Sequence, residues 1–198
     1  QMAVTSTTAT TAIDVCNRAF VLIGASPMTS FEDGTNESLV AVNLYEDTCR
    51  SALVNTRWRF ATNQAILSRL TDSPTGRWDS AYQIPVSSIY VHAITVNDTP
   101  IKYDIFGSYV YNDATVNDVV IADFSFRQTE PNFPSYFTQA LVYELAGQFA
   151  LGIARDEGLS RMMFDNARFY MQKARTMDSQ QQTTKKLITN RFIVSRRS

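Results

Sequence analysis

The sequence predicts an α+β fold: a helical bundle built from N- and C-terminal helix pairs, with an inserted antiparallel β-domain and an extended C-terminal arm. Three observations carry this expectation. Helical spacing of apolar residues runs to about residue 56 and returns after residue 134. Between the two stretches, β-branched and aromatic runs alternate with Asn-Asp and Gly-Ser turn signals. The last residues, TTKKLITNRFIVSRRS, fit neither pattern. The expected organisation is a discontinuous helical domain over 9–60 and 132–179, an inserted β-domain over 61–131, and a docking arm over 180–198.

The first helix is marked at both ends. Thr11 followed by Asp14 has the spacing of a capping box, and Gly24 with Pro27 closes the segment, with Ile13, Cys16, Phe20 and Ile23 as its apolar stripe. After the loop SPMTSFEDGT, a second helix is expected from Leu39, Val42, Tyr45, Cys49 and Leu53, with Glu46 and Arg50 pairing across one turn. The two helices are expected to form a hairpin. Cys16 and Cys49, lacking a CxxC spacing, are expected to be buried free thiols of a chain folded in a reducing cytoplasm. The start, QMAVTSTTATT, lacks the basic segment and apolar run of a secretory signal.

From RWRFATNQ onward the period changes. SSIYVHAITV, IKYDIF, SYVYN and DVVIADFSFR read as strands of an antiparallel meander, with turns at Asn97-Asp98, Gly107-Ser108, Asn112-Asp113 and Asn117-Asp118. In the last strand Val120, Ala122, Phe124 and Phe126 alternate with Ile121, Asp123, Ser125 and Arg127, so one face is expected inside and the other partly wet. Next, SYFTQALVYELAGQFALGIA is apolar almost all round. Gln139, Glu144 and Gln148 make it a buried bundle helix rather than a membrane span. The final helix carries Leu159, Met163, Ala167, Tyr170, Ala174 and Met177 inward, with Arg161, Asp165, Arg168 and Lys173 outward.

Reaction chemistry is sparse. His92 is the single histidine, no GxSxG surrounds a serine, and seven scattered glycines form neither a P-loop nor a dinucleotide fingerprint. EDG at 32–34 and RDEG at 155–158 lack calcium-loop spacing and suit helix N-termini. No metal ligand set or cofactor is expected. In RWRF, Trp58 and Phe60 are expected as packing anchors and Arg57 and Arg59 as partners of carboxylates, although basic residues beside aromatics could also stack on nucleic acid.

Charge is distributed unevenly. The formal net charge is −1, but Lys185, Lys186, Arg191, Arg196 and Arg197 supply five of the eighteen basic groups. The rest of the chain carries thirteen against nineteen acids, or −6. An acidic body with a basic, partly apolar end suggests an arm that docks on an acidic surface, Leu187, Ile188, Phe192 and Ile193 filling apolar pockets or adding a strand.

The stretches AFVLIGASPMTSFEDGT, TRWRFATNQAILSRL, PTGRWDSAYQIP and QALVYELAGQFA, in this element order, resemble the tail tubular protein A family of tailed bacteriophages. The resemblance implies a structural head-to-tail adaptor of the virion, not an enzyme and without membrane association. It implies a closed ring of about twelve subunits that docks onto the portal protein. Such a ring would meet the tail nozzle, and possible tail fibres, on its far side and let genomic DNA through without specific binding. Asp98, Asp104, Asp113 and Asp118 are the candidate channel- or tail-facing acids, since like charge keeps DNA from adhering. The competing expectations from residues alone are a small carboxylate-dependent hydrolase, with His92 or a carboxylate as base, and a nucleic-acid-binding module led by RWRF and the arm.

Overall fold

The computed structural model describes residues 7–72 and 74–181. The arm residues Lys185, Lys186, Leu187, Ile188, Arg191, Phe192, Ile193, Arg196 and Arg197 lie outside the described residues. The chain is α+β. Helix α1 (Ala12–Ile23) and helix α2 (Asn36–Val54) precede seven strands: β1 (Thr62–Ile66), β2 (Ser80–Gln83), β3 (Ser88–Val96), β4 (Thr99–Pro100), β5 (Asp104–Phe106), β6 (Tyr109–Asn112) and β7 (Val120–Phe126). Helix α3 (Ser135–Phe149) and helix α4 (Glu157–Gln180) follow.

Helix boundaries follow the expected chemistry. The Thr11 hydroxyl accepts from the Asp14 N–H (3.1 Å) while the Asp14 carboxylate accepts from the Thr11 N–H (3.2 Å), closing a capping box. Gly24 takes φ 72°, the left-handed conformation in which a helix ends most cheaply on glycine. Thr35 caps α2 through the Ser38 N–H, and Asp156 caps α4 through the Leu159 N–H.

α3 is the organising helix. α1, α2 and α4 all pack against it, and α1 scarcely touches α2, so the first two helices are neighbours of α3 rather than a hairpin. That surround explains why α3 is apolar on most sides: Phe137, Leu141, Leu145, Ala146 and Phe149 are fully buried. Closeness to α4 depends on Gly147, where a Cβ would lie 2.7 Å from the Phe164 ring, and on the Ser160 hydroxyl, which donates to the Gly147 carbonyl (2.7 Å). After Phe149 the chain makes a π-helical turn over Ala150–Ala154, and Arg155 at φ 51° reverses it into α4.

Two helical stripes differ from the sequence expectation. On α2 the inward residues are Ser38, Ala41, Tyr45, Thr48, Cys49, Ala52 and Leu53, leaving Leu39 and Val42 60% and 53% exposed. Small side chains face α3 because the helices approach closely there. On α4 Met177 points outward and Asp178 inward, since Asp178 accepts hydrogen bonds from the Tyr136 hydroxyl (2.9 Å) and the Arg59 N–H (3.0 Å).

The strands form two antiparallel sheets, of order β1-β7-β3-β4 and β2-β6-β5, rather than one meander. β7 inserts between β1 and β3, so the last strand in sequence is central. The Asn97-Asp98 turn has φ 49° and 59°, as a tight hairpin requires, and Gly107 at φ 59° turns β5 into β6. Val120, Ala122 and Phe124 do face inward, against Leu67 and against Tyr82, Ile94 and Val110 from both sheets, whereas Ser125 is buried on the expected wet face, where it meets His92, and Phe126 is only half-buried. A second, larger core is helical and includes Cys16, Phe20, Tyr45, Cys49, Trp58, Phe137 and Phe149.

Candidate functional site

The RWRF segment is where the helices meet the strands. Trp58 is fully buried and its indole donates to the Ala52 carbonyl (2.8 Å). Phe60 packs on Trp58, Phe133 and Phe137 at centroid distances of 5.8, 6.2 and 5.0 Å. Full burial of the Trp58 ring contributes about 2 to 3 kcal/mol, and the half-buried Phe60 less. Arg57 reaches Asp123 on β7 (3.1 Å), and the Arg59 N–H reaches Asp178 on α4. Both aromatics are thus committed to packing rather than free to stack on a base.

Arg127, at the end of β7, is a hub that sequence reasoning assigned only to the wet face. Its Nε and Nη2 donate to both oxygens of Glu46 on α2 (3.0 and 3.1 Å), and Nη2 also donates to Glu130 (2.6 Å). Glu130 in turn accepts from the Tyr45 hydroxyl (2.9 Å), while the guanidinium lies 5.8 Å from the Phe133 ring centroid. Burial alone would raise the Glu130 pKa, but hydrogen bonds from Arg127, its own backbone N–H and Tyr45 outweigh burial and hold it below the ordinary value. Arg127 hydrogen bonds are the largest influence on Glu46, also lowered. The sequence signal was Glu46 facing away from its core stripe; its partner lay 81 residues ahead.

Cys16 and Cys49 are free and buried, and burial pushes both thiols up to about 12. His92 occupies a β-bulge of β3 that turns its Nε2 onto Ser125 Oγ of β7 (2.7 Å). Burial, with the Arg57 charge second, lowers the His92 pKa. Ser125 is 0% exposed, so this serine-histidine contact offers no hydroxyl to a substrate.

Of the four candidate acids, Asp104 and Asp113 share one end of the β2-β6-β5 sheet, beside the adjacent Trp78 and Asp79, while Asp98 and Asp118 belong to other turns. Asp98 is exposed at the β3–β4 turn. Asp104 accepts from the Trp78 indole (2.9 Å), and Asp113 accepts from the Asp79 N–H (3.2 Å). Asp118 accepts from the Thr115 N–H and hydroxyl (2.7 and 2.9 Å), and the backbone bond chiefly holds its carboxyl below the usual range. Three of the four therefore stabilise turns and strand connections. Among the described residues, no three His, Cys, Asp or Glu side chains gather as a metal site would require, and no helix is long and apolar enough to cross a membrane.

The surface carries two further features. A groove of about 470 Å³ between α2 and α4 is lined by Thr48, Asn55, Glu144, Gln148, Arg168 and Arg175. Burial, opposed by the Arg168 charge, raises the Glu144 pKa. Outside that groove, Met162 and Phe169 of α4 stand 51% and 61% exposed, with the Phe169 ring edge-on to Tyr170 and Tyr170 stacked on Tyr143 of α3 at 4.8 Å.

A scan of the chain against protein-family models finds no match, and a search of curated proteins finds none either.

Proposed function

We propose that this chain is a structural head-to-tail adaptor of a tailed phage, one subunit of a ring that docks on the portal, joins it to the tail nozzle and lets DNA pass. The observation that carries the reading is the order of elements: two helices, an all-antiparallel β-segment, and two helices, with the stretches that resemble tail tubular protein A spanning the α1–α2 loop, the α2–β1 junction, β2 and the body of α3. TRWRFATNQ supplies the Trp58 and Phe60 anchors of the junction, and QALVYELAGQFA is the central helix α3.

The chemistry of the surface supports a part that holds shape. Residues 61–131 carry eight acids against four bases, a net −4 that would repel a passing polyanion. Of the candidate acids, Asp98 is the best placed to act outward, because the other three are hydrogen-bonded within the strands and turns. The basic residues 182–198 act in this reading as the arm toward an acidic portal surface. The last turn of α4 lies beside Arg59 at the helix–strand junction, through Asp178.

Mixing the full chain with its portal protein tests the reading: a portal-bound ring seen by electron microscopy supports it, and absence of any complex refutes it. Removing residues 182–198 is expected to leave melting unchanged while abolishing portal binding.

A further inference from the structure

We infer that the cavity between the 74–78 loop and the β5–β6 hairpin binds a neutral saccharide. Strand register builds its floor: Asp104 and Phe106 are two residues apart on β5 and so share a face, and Tyr111 of β6 stands directly opposite Asp104. The Phe106 ring leans diagonally onto Tyr111, edge-on with 5.5 Å between centroids, and remains 60% exposed. The loop forms the wall. Trp78 is buried there, its indole donating to Asp104 Oδ2 (2.9 Å), and the Arg77 guanidinium lies 4.6 Å from the Trp78 ring centroid. Among the described residues no hydrogen bond engages Asp104 Oδ1. Trp78, Phe106 and Tyr111 belong to neither hydrophobic core, so packing of the fold does not account for gathering them. The space they enclose is about 660 Å³, a volume typical of small-molecule sites.

The mixture of groups selects the ligand. A wholly apolar molecule would cover the Asp104 carboxylate and the Arg77 guanidinium without giving either a partner. A phosphate or other anion would meet Asp104, with Asp79 and Asp113 beside it, against Arg77 alone, a local net of −2. A cation would find the Trp78 ring already taken by Arg77. A saccharide satisfies every group. Its C–H face lies on the exposed Phe106 ring, while its hydroxyls, each both donor and acceptor, give to Asp104 Oδ1 and take from Arg77 and the Thr75 hydroxyl. The site goes beyond the adaptor reading and is independent of it, since it uses no residue of the helices or the arm.

The two tryptophans make the test direct, since Trp58 is fully buried at the helix–strand junction and Trp78 lines the cavity. The full chain is titrated with cellobiose, lactose and N,N′-diacetylchitobiose, followed by tryptophan fluorescence and calorimetry. Mannitol, tetramethylammonium chloride and inorganic phosphate are titrated in parallel. The expected result is saturable binding of at least one disaccharide with Kd of about 1 mM. Phe106→Ala and Asp104→Asn should weaken it at least tenfold, and Trp78→Phe should abolish the fluorescence response. Tyr90→Ala, in the separate groove between β3 and β5, should change neither. Where the alanine variant melts lower than the natural chain, Phe106→Leu keeps an apolar side chain and removes only the ring. Absence of saturable binding by all three disaccharides overturns the inference, as does a response that mannitol, which has no ring face, reproduces. So do tighter binding of tetramethylammonium or phosphate, and disaccharide binding that the Phe106 and Asp104 variants leave intact.

Discussion

Replacing Arg127 with Met keeps the aliphatic stem against Phe133 and removes the charge that joins β7, α2 and the entry to α3. The cost follows from exposure. The Glu46 carboxylate is 48% exposed, so its two bonds contribute about 0.5 to 1 kcal/mol. The Glu130 pair is 18% and 16% exposed, and deleting Arg127 leaves that carboxylate enclosed with only the Tyr45 hydroxyl and a backbone N–H; this costs about 2 to 3 kcal/mol. Together the loss is about 3 kcal/mol, or about 9 °C in Tm at about 3 °C per kcal/mol for a chain of this size. Thermal and urea unfolding of Arg127→Met, Glu130→Gln and the double variant measure it. Arg127→Met should be the worst, Glu46→Ala should cost under about 1 kcal/mol, and the double variant should recover part of the loss because no orphan charge remains. A loss below about 0.5 kcal/mol in Arg127→Met would refute the hub.

Gly147→Ala places a methyl group against the Phe164 ring and is expected to destabilise by about 1 to 3 kcal/mol, visible as a lower Tm. Asp178→Ala strands the Tyr136 hydroxyl and the Arg59 N–H and should cost about 2 to 3 kcal/mol in chemical unfolding. Stability should decline with acid in two windows. His92, whose folded pKa is depressed, opposes folding once protonated, so its penalty appears as pH falls below the ordinary 6.5 and is absent in His92→Gln. Glu46 and Glu130, also depressed, contribute stability present above about 4.5 and lost as pH falls through their lower folded values, a loss that Arg127→Met should shrink. Cys16 and Cys49 should react with a thiol reagent only upon unfolding, since burial suppresses the thiolate.

Local chemistry was legible in the sequence and long-range geometry was not. The Thr11–Asp14 capping box, the Gly24 stop and the Asn97-Asp98 turn each depend on residues a few positions apart, and each is found; the alternation along β7 holds from Val120 to Phe124 and breaks at Ser125, which is buried against His92. The inward face of α2 was misassigned because Leu39 and Val42 share helical spacing with true core residues, while Ala41, Thr48 and Ala52 are small enough to let α3 approach. Met177 lost its inward place to Asp178 because two donors distant in sequence satisfy that carboxylate. The meander expectation failed for a similar reason, since placing β7 between β1 and β3 pairs strands about sixty residues apart. At the candidate site, the burial of Trp58 and Phe60 was readable from their apolar character, but the Arg127 hub and the His92–Ser125 contact depend on tertiary neighbours and a β-bulge.

Electron microscopy of the full chain mixed with the portal of its particle tests the central claim most directly. The account predicts a closed ring stacked coaxially on one end of the portal, with an open centre wide enough for duplex DNA. Portals that remain bare at saturating chain, or chain bound singly at scattered positions, would contradict it.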